Sequence, residues 1–564
     1  MDLKIGSVIN GFRVLRDGEV PLLNARYWKL QHEATGATLY YSDRDDGQMV
    51  FSVGFRTLPE DDTGVFHILE HSCLDGSKNY QLKEPFVNLL KTSMAVDLNA
   101  MTFEDKTIYY FISTNEQDYL NLMSVYMDAV FNPLLLTDRR IFEKEAWHVE
   151  PAGEGKVAIS GVVFNEMQGN DNQPDYIMWM QNEKQLFPDL FFRFNSGGDP
   201  AFIPELTYEQ FTETYHRFYS SQNAIFYLSG NMGLEAELAH IDSVLTEKGV
   251  SAYEKPAPAP LQAPVVSPDG TVYYQLADNE EIEGNTHLML TYVLGEDKSA
   301  EVLAFALLSR YLAENTESPL TKAVLDAGVG QDFGMGCEGD YRQPMLYFTL
   351  GKSDPEHAEG FRAAVLDTLK GICETGLDAD RIRDLVDSHE TDCRRASLSV
   401  KTGFRIMESF IRAQVQSDDA QPANDLAALR EAMAADDRYF EDYNQAFLDD
   451  HDIISHGQMT IRPDLRACVE LGGRWSMRRY YGSNEVIPIL QLGVYAEYGL
   501  LNAAPKSYTS LDNNGNASVE IDIDHIYVPQ IGAEKRLHVN HLHAGIRLTV
   551  LFNISPNDCH CEWY

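Results

Sequence analysis

The chain is predicted to fold as an α+β protein of two related sheet-and-helix units joined by a proline-rich linker. Three observations carry this reading. β-prone runs closed by turn signals stand beside long amphipathic stretches, with no regular βαβ alternation. Residues 254–269, EKPAPAPLQAPVVSPD, hold five prolines in thirteen positions, the composition of an extended, semi-rigid spacer. The order strands-then-helices occurs once on each side of that spacer.

The first unit opens on β-rich sequence. ATLYYS (37–42) and MVFSVGF (49–55) flank DRDDGQ, whose Asp-Asp-Gly punctuation predicts a hairpin. A helix carrying residues 67–71 follows. NAMTFEDKTIYYFIS (99–113) ends in a strongly β-prone run. TNEQDYLNLMSVYMDAVF (114–131) is amphipathic, with Leu122, Val125, Tyr126, Ala129 and Val130 at helical spacing. Thr114 and Gln117 fit a capping box at its start. Beyond the linker, TVYYQLADNEEIEGNTHLMLTYVLG restarts the strands and SAEVLAFALLSRYLAE the helices.

At 564 residues the chain is too long for one core. Its formal charge of −41 repels nucleic acid and anionic membranes, which leaves basic or neutral partners. Charge of this kind says nothing about fold. Seven scattered cysteines argue against a disulfide framework and for a reducing compartment. MDLKIGSVINGFRVLRDGEV has neither the apolar core of a signal peptide nor an Arg/Ser-rich presequence, and no run of 18 apolar residues occurs. The expected location is a cytoplasm, that of a bacterium.

Chemistry concentrates in GVFHILEHSCLDGS (64–77). On a helix, positions i and i+4 share a face, so His67 and His71 can reach one ion. Zinc takes imidazole nitrogen readily, and a catalytic site has three protein ligands and an open position. Glu70 lies beside His71, placed to act as general base. This is the H-x-x-E-H order. Five residues alone fit a solvated helix face equally well, so a third ligand decides. Glu166 in GVVFNEMQGN (161–170) follows an apolar run at a predicted helix start. Glu143, Glu145 and Glu150 in IFEKEAWHVE compete with it, although each also reads as an acid on an exposed helix.

HILEHSCLDGSKNYQLKEPF, NAMTFEDKTIYYF, VYMDAVFNPLL and GVVFNEMQG, in that order, resemble the N-terminal domain of the presequence proteases. These form a branch of the pitrilysin/insulinase (inverzincin) family of zinc metallopeptidases. SPLTKAVLDAGVGQDFG and YFEDYNQAFLDDHDIISHGQMTIRPD resemble the family's second domain. The resemblance covers roughly residues 10–465, and the 94 residues between His71 and Glu166 suit this branch. It implies a catalytic metallopeptidase domain at 1–253, a linker at 254–270 and a second domain without metal at 271–465, with 466–564 unassigned. It implies one Zn2+ held by His67, His71 and Glu166, with Glu70 as general base. It also implies that a peptide lies as an added strand on the sheet edge supplied by Asn99 and Ala100 in LNAMT. Backbone pairing of that kind grips any extended peptide, so short unstructured peptides are the implied substrates.

The family continues for two more domains, which supply an arginine and a tyrosine to the site. Residues 466–564 do not resemble them, and Arg474 and Tyr481 in RWSMRRYYG come too early in the chain. The expectation therefore divides. The chain is a zinc metalloendopeptidase, or it is a non-catalytic, weakly active or truncated subunit that needs a second chain to close the chamber.

Three further features are read as ordinary. GVGQDFGMGCEGD (328–340) lacks the strand–GxGxxG–helix context of a dinucleotide site and is expected to be a mobile loop. Cys73 as a fourth ligand would close the metal site, so it is expected to be a small buried residue. HVNHLH (538–543) and Cys559-His560-Cys561 lack paired C-x-x-C spacing.

Overall fold

A computed structural model describes residues 3–464 except 21–24, 45–46, 83–84, 154–155, 171–172, 231–232, 266–269, 277–281, 297–298, 340, 397–401, 419–424 and 450–452, and beyond 464 the strands given below. The strands are β1 (Val8–Ile9), β2 (Phe12–Val20), β3 (Ala25–His32), β4 (Thr38–Asp43), β5 (Met49–Arg56), β6 (Ala95–Thr102), β7 (Lys106–Ser113), β8 (His148–Gly153), β9 (Lys156–Ser160) and β10 (Ala224–Ser229). They continue as β11 (Gly270–Gln275), β12 (Thr286–Leu294), β13 (Asp332–Glu338), β14 (Met345–Ser353) and β15 (Ile453–Asp464). The last are β16 (Ala467–Val469), β17 (Trp475–Ser476), β18 (Ile489–Tyr498), β19 (Ser507–Leu511), β20 (Asn516–Asp522) and β21 (Leu542–Asn553). The helices are α1 (Val65–Cys73), α2 (Pro85–Thr92), α3 (Glu116–Phe131), α4 (Arg139–Glu145), α5 (Val162–Asn170), α6 (Pro174–Leu186), α7 (Tyr208–Phe218) and α8 (Leu234–Lys248). After the linker come α9 (Ser299–Ala313), α10 (Pro319–Asp326), α11 (Ala358–Thr375), α12 (Ala379–Ala396), α13 (Thr402–Gln416), α14 (Asp425–Ala435) and α15 (Tyr439–Leu448).

The first sheet runs β1-β2-β3-β4-β10-β5-β7-β6, and the second runs β11-β15-β12-β14-β13. This order corrects the predicted hairpin. β4 and β5 are not neighbours, because β10 enters between them, parallel to β4 and antiparallel to β5. A six-residue connection does not enforce pairing as a two-residue turn does. AIFYLS, buried at every position, is the sequence of a central strand. The Gly-rich segment 328–340 is corrected as well: most of it forms β13, the edge strand of the second sheet. The cap of α3 is Asn115, whose side chain accepts from the Asp118 N–H, and not Thr114. Asparagine one residue later satisfies the same orphan donors.

One face of each sheet is covered by helices from its own half. The other face is covered by a helix from the other half. Ile406, Met407, Phe410, Ile411 and Val415 of α13 pack on Tyr27, Tyr40, Ile108, Ile225 and Tyr227 of the first sheet. Met178 of α6 packs on Tyr274, Met289, Met459 and Ile461 of the second. Arg56, fully buried at the end of β5, closes the end of α13 by donating to the carbonyls of Val415 (2.9 Å) and Gln414 (2.9 Å). It also donates to the Pro256 carbonyl in the linker. The two halves are thus held by exchanged helices as well as by a tether.

A third sheet, β16-β18-β21-β20-β19-β9-β8, joins strands beyond 466 to the hairpin β8–β9, with Thr509 opposite Val157. Among the described residues, Cys73, Cys337, Cys373 and Cys393 are free, and no helix is long and apolar enough to cross a membrane. Arg474, Tyr481, Cys559 and Cys561 lie outside the described residues.

Glu237 in α8 is 3% exposed, and burial pushes its carboxyl up to about 7, against an opposing hydrogen bond from Tyr119. Below the ordinary value of about 4.5 the proton is bound whether the chain is folded or not, and the full stability is present. As pH rises through 7 the folded state must lose a proton it holds more tightly, and stability falls. The total is on the order of 3 kcal/mol. Glu237→Gln is expected to remove this contribution, seen as a stability difference between pH 5 and pH 8 that is shifted from the parent's by the loss of this fall.

Candidate metal centre

Helix α1 lies against the edge strand β6 of the first sheet. Phe66, Ile68, Leu69 and Cys73 fill the core beneath it, at helical spacing. That leaves His67, Glu70 and His71 on the side facing away from the core. Cys73 is fully buried, and burial pushes its thiol up to about 12, so it is packing material and not a ligand.

The helix starts at Gly64, which is left-handed (φ 66°) and offers no side-chain cap. The loop Gly197–Gly198 presses against that point. A Cβ on Gly64 would stand 2.5 Å from Gly198 Cα and 2.6 Å from the Gly197 carbonyl oxygen. The same carbonyl accepts from His67 Nδ1–H at 2.9 Å. This fixes the ring and directs Nε2 outward. Gly64→Ala is therefore expected to cost about 1–3 kcal/mol from conformation alone and to weaken metal retention by displacing the loop. A lowered melting temperature with reduced zinc affinity checks it.

His71 Nδ1–H donates to the buried Glu145 carboxylate at 3.2 Å, and Lys144 pairs with both Glu145 (3.1 Å) and Asp75 (3.2 Å). Burial pulls the His71 proton affinity down, but the Glu145 hydrogen bond and the charges of Glu70, Glu145 and Glu166 outweigh it, so the net shift is upward. Glu145 shifts downward: burial opposes this, and His71 with Lys144 prevails.

Glu166 sits in the middle of α5. Its Oε2 lies 3.7 Å from His67 Nε2 and 3.9 Å from His71 Nε2. The donor atoms of the three residues all fall within 4.8 Å of one another, and no other such group of acids, histidines or cysteines occurs among the described residues. Ligand bonds of about 2.0–2.2 Å in tetrahedral geometry separate donors by roughly 3.3–3.6 Å, so the two Glu166 separations of 3.7 and 3.9 Å are slightly wider than a zinc ion requires. Two nitrogens and one carboxylate suit zinc. Of the competitors, Glu143 pairs with Arg139 (3.1 Å) and Glu150 with His148 (3.7 Å), while Glu145 orients His71.

Glu70 is 8% exposed. Burial pushes its carboxyl above the usual range, opposed by His67, His71 and a hydrogen bond from Thr102 Oγ1 at 2.8 Å. Asn99 and Ala100 lie on β6, the outermost strand of the sheet, Asn99 exposed and Ala100 buried. The Ala100 N–H donates to Asn99 Oδ1 (3.0 Å) and so is turned away from β7 toward the open edge.

Sequence reasoning missed Thr102, the Gly197 carbonyl and the orienting role of Glu145. Strand periodicity could have found the first: Leu98, Ala100 and Thr102 alternate onto the face toward α1.

Two family domains match the chain: insulinase (peptidase family M16) over residues 47–151, and the peptidase M16 inactive domain over residues 205–388. Protein HypA of Clostridium perfringens is 33% identical over 456 residues, which is 79% of this chain and 47% of that protein. The mitochondrial presequence protease of Danio rerio is 32% identical over 465 residues, 78% of this chain and 44% of that protein. The chain thus spans less than half the length of these relatives. A Helicobacter pylori protease superposes with a TM-score of 0.59 at 14% identity, over 78% of this chain and 100% of that one. Pitrilysin does so with a TM-score of 0.54 at 15% identity, over 80% of this chain and 46% of that one. At such identities the likeness is one of fold. Both family domains in order, a third of the residues shared with presequence protease relatives, and a common α+β fold make this chain a presequence-protease-like member of the insulinase family, peptidase family M16.

Proposed function

We propose that this chain is a zinc-dependent metalloendopeptidase that hydrolyses short, extended peptides. The observation that carries the reading is the convergence of His67, His71 and Glu166, with Glu70 beside them and a sheet edge alongside. When bound, zinc supplies Lewis acidity that acidifies water and polarises a peptide carbonyl. The chain's own groups do the rest. Glu70, on the same helix as both histidines, takes the proton from the attacking water and returns it to the leaving nitrogen. Edge strand β6 holds the peptide by main-chain pairing. The net charge of −41 keeps nucleic acid and anionic membranes out of the partner set and favours basic peptides, an effect that salt screens. The sparse cysteines fit a cytoplasm.

The test is metal analysis together with turnover of a quenched peptide by the purified chain. About one zinc per chain with measurable turnover supports the reading. Freshly purified protein without zinc sinks it.

A second reading is a chain that is inactive or weakly active until another polypeptide closes the chamber. The match spans 47% and 44% of those two relatives, so groups in the rest of such proteins lie outside it. Zinc without turnover supports that reading.

The strand-docking part has its own test. Because the Ala100 N–H points away from β7, Ala100→Pro removes an outward donor and leaves the ladder to β7 intact. Losing that one docking hydrogen bond is expected to lower kcat/KM by about 10-fold, with zinc content unchanged. Parent-level kcat/KM would show that peptides do not pair at Ala100.

A further inference from the structure

The edge strand and Glu70 touch at one point. Thr102 Oγ1 donates to Glu70 Oε2 at 2.8 Å, and no other donor among the described residues bonds this carboxylate. Thr102 is the last residue of β6, and the turn that follows holds it firmly. Thr102 stands opposite Thr107 in register, and Thr107 Oγ1 bonds Thr57 Oγ1 at 3.0 Å. The Phe103 N–H donates to the Lys106 carbonyl at 2.8 Å, and the Thr57 N–H to the Asp105 carbonyl at 3.0 Å. β-Branching restricts the Thr102 side chain further.

A buried carboxylate that must receive a proton at one oxygen works best when its plane is fixed. A neutral hydroxyl does this without adding a charge that would compete with the histidines. We propose that Thr102 is the positioning residue of Glu70: it occupies Oε2, leaves Oε1 for proton transfer, and ties the carboxylate to the strand on which the peptide docks. The inference rests on the reading of Glu70 as general base. It adds a reason why that base and the docking strand keep a constant separation, since one hydroxyl belongs to the strand and bonds the base.

The test compares Thr102→Val, which deletes the hydroxyl and keeps the branched shape, with Thr102→Ser, which keeps the hydroxyl. Thr102→Val is expected to lower kcat about 10-fold, the scale of one charge-assisted hydrogen bond, with KM and zinc content unchanged. Thr102→Ser is expected to recover most of that loss. In metal-free protein, the melting shifts of Thr102→Val and Glu70→Ala are expected not to add in the double variant, because the contact exists without metal. Parent-level kcat in Thr102→Val, a change confined to KM, no recovery in Thr102→Ser, or additive melting shifts would each overturn the role. A parent chain with neither zinc nor turnover sinks the proposed function, and the role of Thr102 falls with it. Parent turnover with an unaffected Thr102→Val sinks the positioning role alone.

Discussion

Glu70→Gln is expected to keep its zinc and lose peptide turnover by about 10²–10⁴-fold. Glutamine matches glutamate in shape, and its amide oxygen can still accept the Thr102 hydroxyl, so the site should stay assembled. What it cannot do is take a proton. Glu70 is 8% exposed, and burial pushes its carboxyl upward, in the direction that suits a base working near neutrality. Glu70 is also not one of the three residues whose donor atoms cluster, His67, His71 and Glu166. The two readouts therefore separate its roles. Zinc release from Glu70→Gln would make Glu70 a ligand. Full turnover with full zinc would leave the proton transfer to another group.

Much of this site was legible because it depends on local periodicity. His67 and His71 are four residues apart, and a helix puts them on one face whatever else the fold does. The general placement of Asn99 and Ala100 before a β-prone run was legible for the same reason. The third member of the candidate donor set was not readable from spacing. Glu166 is separated from the motif by a hairpin whose partner strands come from beyond residue 466. Gly161 shows how the chain returns: a Cβ there would lie 2.1 Å from the Ala146 carbonyl oxygen, so the base of the hairpin is pinched between Glu145 and Glu166. One acid then points at His71 Nδ1 and the other toward Nε2. Sequence spacing gives both equal standing.

The misread hairpin and the unread helix exchange have a common cause. β10 enters between β4 and β5 from more than 160 residues later in the chain. α6 and α13 cover sheets of the opposite half. Pairing and packing between distant segments leave no trace in a local window, even where the strands and helices themselves are recognised. The pair Thr102–Glu70 is a smaller case of the same kind, 32 residues apart and joined only by folding.

Removing any one of His67, His71 or Glu166 is expected to empty the site. Structural zinc binding of about 10–16 kcal/mol over four ligands assigns each roughly 2.5–4 kcal/mol, or about 10²–10³-fold in affinity. His67→Ala, His71→Ala and Glu166→Gln should therefore all lose zinc on dialysis against a weak chelator. Glu145→Gln should behave differently, since Glu145 touches His71 Nδ1 and not the donor cluster. Loss of an orienting partner typically costs about 10–10²-fold. Full zinc retention by Glu166→Gln would move the third ligand to another acid. The pH dependence adds a second discriminator. Without metal, His71 holds its proton more tightly than an ordinary histidine, because the Glu145 hydrogen bond and the surrounding carboxylates outweigh burial. Zinc needs that imidazole deprotonated. Affinity should thus be full at alkaline pH and begin to fall above the ordinary histidine value of about 6.5 as pH is lowered. In Glu145→Gln the main raising influence is gone, so the fall should begin at lower pH although the affinity plateau is lower. A lower plateau together with an onset at lower pH would identify Glu145 as the orienter of His71. A fall that begins at the same pH in both proteins would show that the Glu145 contact does not govern the proton competing with zinc.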